Sequence, residues 1–197
     1  MATTQASIRN STDLHSLSVR ENPELAPAEK ETHIQFSAED NQAHIETEIA
    51  CHIRRLLQHP HFTLVDYRTI ETDSESQIVR VNGLLPVGCV SVTSSARKDS
   101  SLGSVVSDNV LRNSSQCSID LDYSWSFDPQ TYDEQETTIR IAKDRDSVRL
   151  WSSENGISNR LDAHPECDGK LPIGYLTVKS KPRKTVDHAS VVTNSVL

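Results

Sequence analysis

Imidazole and thiol side chains cluster in the first half of this 197-residue chain, at Cys51, His52, His59 and His61. His164 stands 105 residues beyond His59 and is followed by Pro165, Glu166 and Cys167. Such groups are zinc donors, and a structural zinc site needs about four of them converging on one point. His59, His61, His164 and Cys167 are the candidate ligands. Their spacing matches no established ligand pattern. The chain is therefore read as having no metal and no cofactor, with the histidines marking helix ends. A metal-stabilised module stays as an alternative.

Other chemistries leave fainter marks. Serine, threonine, histidine and carboxylates are all present, but there is no G-x-S-x-G elbow and no glycine-rich phosphate loop, and only six glycines serve the whole chain. The expectation is that the protein is not an enzyme. Lys179, Lys181, Arg183 and Lys184 make a basic exit at the end of the second half, echoed by Arg97 and Lys98 in the first. These six residues could hold phosphates by charge alone, which makes a nucleic-acid-binding accessory protein the second functional reading. Tyr123, Trp125 and Phe127 alternate with serine and aspartate. They could stack bases, but the interleaved Asp120 and Asp122 and the following Asp128 repel phosphates. Packing, or a protein interface, suits them better.

The elements that position these groups follow from a repeat. Glu31, Thr32 and Ile34 return as Glu136, Thr137 and Ile139, Arg55-Leu56 as Arg160-Leu161, and His59-Pro60 as His164-Pro165, all at an offset of 105. Leu85-Pro86-Val87-Gly88 returns as Leu171-Pro172-Ile173-Gly174. Val92, Ser94, Arg97 and Lys98 return as Val178, Ser180, Arg183 and Lys184, now at an offset of 86. The first copy therefore holds 19 additional residues. In copy one, alternation predicts a hairpin around the turn at 38–41. A helix follows from Thr47 to about Gln58, with Ile49, Ile53, Leu56 and Leu57 on one stripe, and His59-Pro60 ends it. Two inserted strands flank a polar turn at 71–76, and a buried strand closes the copy at 88–92. Copy two reads as the same β-β-α-β unit without the insertion. The alternating segment 118–127 is expected to complete its sheet.

The resulting fold class is α+β: two tandem β-β-α-β repeats, small antiparallel sheets each with one helix, packed pseudo-symmetrically. The boundaries read as a flexible arm over 1–30, repeat one over 31–98 with the inserted hairpin at about 62–84, a linker over 99–117, repeat two with its preceding aromatic strand over 118–184, and a flexible tail over 185–197. The net charge of −8 is carried largely by the connector 99–135, where seven acids face only Arg112. No apolar run could span a bilayer, and Met1–Gln5 lacks the apolar core of a signal peptide. A cytoplasmic location, in a host cell or a virion, is expected. The four cysteines then read as free thiols.

The frame Glu136-Thr137-Thr138-Ile139, Leu171-Pro172 and Lys181-Pro182-Arg183-Lys184 resembles small uncharacterised proteins of bacteriophages and other mobile elements. Copy two carries the resemblance best and copy one in part. It transfers no activity and no residue role. It implies a viral or mobile-element accessory or virion protein. Duplication without catalytic motifs, together with flexible ends, points to non-enzymatic binding of a macromolecule, with an unidentified protein as the expected partner. No membrane partner is expected.

Overall fold

The computed structural model describes residues 17–37, 41–72, 75–93, 96–99, 101–106, 117–121, 136–143, 147–152 and 167–184. They form an α+β structure, mostly strands, with one α-helix among the described residues. In chain order the strands are β1 (Ser18–Val19), β2 (Glu31–Ser37), β3 (Gln42–Thr47), β4 (Thr63–Glu71), β5 (Ser76–Pro86), β6 (Val90–Val92), β7 (Ser118–Ile119), β8 (Glu136–Ala142), β9 (Ser147–Ser152), β10 (Cys167–Pro172) and β11 (Leu176–Val178). The helix α1 (Ala50–Leu56) follows β3.

Nine strands make one mixed sheet in the order β10-β9-β8-β2-β3-β5-β4-β7. β1 lies parallel to the start of β5, and β11 and β6 make a separate antiparallel pair. Period-two alternation sets the faces of the large sheet. Ile34, Ile45, Val81, Ile139 and Ile141 are buried on one side, while His33, Glu46, Arg80 and Arg140 project from the other. The buried side shares a single apolar cluster with Ile53 and Leu56 of α1 and with Val90, Val92, Leu176 and Val178 of the small sheet.

The helix is shorter than its apolar stripe predicts. Ile49 is still extended, and helical hydrogen bonding stops at Leu57. Thr47 nevertheless serves the helix start: its hydroxyl accepts the Ile49 N–H at 3.2 Å. The polar stretch between β4 and β5 is a hairpin turn, with Glu71 paired to Ser76.

Four expectations are corrected or extended. The strands of the two halves do not form separate small sheets. β2 and β8 pair along seven registered positions from Glu31↔Ala142 to Ser37↔Glu136, which makes the sheet continuous. The segment 118–127 does not begin beside the strands of the second half. Its described start, β7, runs parallel to β4 at the opposite end of the sheet, while Tyr123, Trp125 and Phe127 lie outside the described residues. The span read as a linker contributes Val105, Val106 and Cys117 to the core. Likewise, part of the span read as a flexible arm is built in, for Lys30 is buried and β1 pairs with β5. Local patterning detects a strand but not its neighbour, and only long-range pairing decides these points.

The register has a further regularity. At the centre of the β2–β8 ladder Ile34 faces Ile139, and at the centre of the β6–β11 ladder Ser91 faces Thr177. The β3–β5 ladder runs from Gln42↔Pro86 to Thr47↔Val81, and the β9–β10 ladder runs from Ser147↔Pro172 to Ser152↔Cys167. Every residue of the second pair lies at the sequence offset found above from its counterpart in the first.

Candidate functional site

The two sequence halves meet at a pair of arginines. β5 and β10 each end in proline and run into a single 3-10 turn, Val87–Cys89 and Ile173–Tyr175. Such short turns leave carbonyl oxygens needing donors. Arg97 supplies them to the second turn: its backbone N–H donates to the Gly174 oxygen at 2.9 Å, its Nε to the same oxygen at 3.2 Å, and its Nη2 to the Ile173 oxygen at 3.2 Å. Its Nη1 also donates to the carbonyl and hydroxyl oxygens of Ser104. Arg183 serves the first turn from its backbone N–H and Nε, to the Gly88 oxygen at 3.1 and 3.4 Å, while its Nη2 reaches the oxygen of Val90, the residue after the turn, at 3.0 Å. A guanidinium offers five donors in a fixed fork, which is why one side chain can serve several carbonyls.

The basic segments therefore divide. Arg97 and Arg183 are partly buried in carbonyl contacts, whereas Lys98, Lys179, Lys181 and Lys184 are exposed. The four lysines, and not the arginines, are the groups presented to solvent. Sequence could not separate them, because nothing in a run of basic residues says where unpaired carbonyls will lie.

Two of the histidines, His52 and His59, are occupied. His52 is fully buried. Its Nε2 lies 2.8 Å from the Leu102 carbonyl oxygen, so that nitrogen carries the proton. Nδ1 must then accept from the Thr32 hydroxyl at 2.7 Å, and Thr32 in turn accepts from Thr47 at 2.6 Å. Burial pushes His52 down to about 4; the bond to Leu102 opposes this and Arg55 adds to it. Arg55 reaches the same segment, donating to the carbonyls of Gly103 and of Val106. His59 donates from Nε2 to the Lys179 oxygen at 3.0 Å and accepts the His61 N–H at Nδ1 at 3.2 Å. Both of its nitrogens are thus used within the protein, and burial holds its pKa below the ordinary imidazole value.

Among the described residues no group of three or more His, Cys, Asp or Glu side chains is arranged to hold a metal ion. His61 is exposed, His164 lies outside the described residues, and the side chain of Cys167 is not described. Burial raises the thiols of Cys89 and Cys117 to about 12 and about 11, so neither is a thiolate nucleophile at neutral pH.

Across the open face of the sheet, charges pair with one another. Glu31 receives Arg140 and His33; burial works to raise its carboxyl, and these two partners override it and hold the pKa below the usual value. Arg80 bridges Glu46 at 3.2 Å and Asp66 at 3.1 Å. Glu21, in the segment before β2, takes Lys143 at 2.7 Å and Lys30 at 3.4 Å. The Glu31–Arg140 and Glu21–Lys143 pairs join the two sequence halves. Sequence patterning did not single them out, because the pairing of β2 with β8 that brings them together spans more than a hundred residues.

No protein-family model matches the chain, and no curated protein or solved structure matches it.

Proposed function

We propose that the chain is a tandem repeat of two β-β-α-β units fused into a pseudo-symmetric scaffold, and that it acts as a non-enzymatic interaction protein, an accessory or virion protein of a virus or mobile element. The observation that carries the repeat is the contact between the halves. Ile34 pairs with Ile139 and Ser91 with Thr177, equivalent positions in each case, and Arg97 and Arg183 make reciprocal contacts. That is the signature of a two-fold interface, in which a residue of one copy meets its own counterpart. The engagement of His52 and His59, the raised thiols and the self-paired surface charges support a binding role over a catalytic one. Purification of the tagged chain from its native host should yield one macromolecular partner in fixed stoichiometry, recovered again when the partner carries the tag. Turnover of a small molecule by the pure chain would overturn the reading.

The exposure of Lys98, Lys179, Lys181 and Lys184 supports nucleic acid as a second class of partner. Binding to a duplex would then weaken steeply with salt. Changing all four lysines to alanine should abolish it, and unchanged binding would refute the assignment.

A further inference from the structure

Gly83 of β5 faces Leu64 of β4. A methyl group placed on it would stand 2.5 Å from the Phe62 ring and closer still to the Thr63 carbonyl oxygen. A glycine inside a strand often marks such a close approach of another backbone. Gly169 holds the matching place in β10. It lies opposite Leu150 of β9, as Gly83 lies opposite Ile45 of β3, and Leu171-Pro172 follows it as Leu85-Pro86 follows Gly83. Yet among the described residues the strand that requires a glycine in β5 has no counterpart beside β10. Among the described residues, β10 ends the sheet.

We propose that the outer edge of β10 is a strand-addition site, which takes an extended segment of a partner protein antiparallel to it with an aromatic side chain over Gly169. The proposal rests on the equivalence of the two repeats. Main-chain hydrogen bonds would give affinity, and the space left by the absent side chain would select the aromatic residue. The fit is defined within the molecule itself: Thr63, Leu64, Asp66 and Tyr67 pair with Leu84, Gly83, Asn82 and Val81. The corresponding positions of β10 are Lys170, Gly169, Asp168 and Cys167.

A labelled peptide of residues 61–71 serves as the probe, added to the full chain and followed by fluorescence anisotropy. Saturable binding is expected. Gly169→Val should weaken it at least about tenfold by filling the space the ring needs, and a Phe62→Ala peptide should bind correspondingly less well. Amide exchange over 167–172 in the unaltered protein should slow when the peptide is added, a measurement that does not depend on the variant folding. Absence of saturable binding, binding indifferent to Gly169→Val in a folded variant, or unchanged exchange over 167–172 would overturn the site. The repeat reading is tested separately, by the losses of stability caused by Arg97→Ala and Arg183→Ala. Matched losses without peptide binding leave the repeat standing and sink the strand site, whereas strongly unequal losses sink the repeat itself.

Discussion

The Thr47–Thr32–His52–Leu102 chain ties β3, β2, α1 and the turn Leu102–Val105 through one imidazole. Every proton in it is assigned once Leu102 accepts from Nε2, and protonating Nδ1 leaves Thr32 facing a donor where it needs an acceptor. The pKa of His52 falls from 6.5 to about 4 on folding, so between those values the unfolded chain binds more protons. Its contribution is therefore complete above about pH 6.5 and fades as the pH drops toward 4. The upper bound is about 3 kcal/mol at roughly 1.4 kcal/mol per pH unit. Urea unfolding at pH 7 and pH 5 should show a loss for the unaltered chain that is smaller in His52→Gln. An equal loss in both would assign the acid sensitivity elsewhere, with His59 the next group to test.

At the scale of elements, the two arginine contacts form a seam between the two sequence halves. Each turns a basic side chain toward carbonyls in or just after the other half's 3-10 turn. Removing either side chain takes away several donors to partly buried carbonyls, with only the backbone N–H bond to Gly174 or Gly88 kept, so Arg97→Ala and Arg183→Ala should each lower stability by about 1–3 kcal/mol, read from the midpoint of denaturant unfolding at unchanged m value. A loss for one and none for the other would contradict their equivalence. The hairpin β2–β3 and the strand pair β4–β5 were legible in the sequence because alternation is local, and Ile53 and Leu56 marked the buried stripe of α1. The β2–β8 pairing was not, since Ile34 and Ile139 look the same whether they fill separate sheets or one. The basic exits were legible as charge, but the different duties of Arg183 and Lys184 depend on where Gly88 and Val90 fall in space.

For the whole molecule, the two sequence halves share a sheet, a core and salt bridges. Ile34, Ile139, Ile141 and Val90 belong to one buried cluster. The covalent link between the halves is then dispensable for holding them together. A chain carrying a specific protease site in place of 112–113, cleaved after folding, should elute from gel filtration as a one-to-one complex of its fragments. Separation of the fragments without denaturant would show that the seams are weaker than their buried area and hydrogen bonds imply.

The β2–β8 ladder also sets an order of events during synthesis. Ile34 is made 105 residues before the Ile139 it pairs with. At about 5–20 residues per second, β2 stands as a bare sheet edge for roughly 5–20 s. An unpaired apolar edge is a template for pairing with any other chain. On a polysome the nearest such edge belongs to a neighbouring nascent copy, in which Ile34 could meet Ile34 just as it later meets Ile139. Yield during expression should therefore depend on the speed at which the stretch from β3 to β8 is translated, even though the finished protein has that edge fully covered.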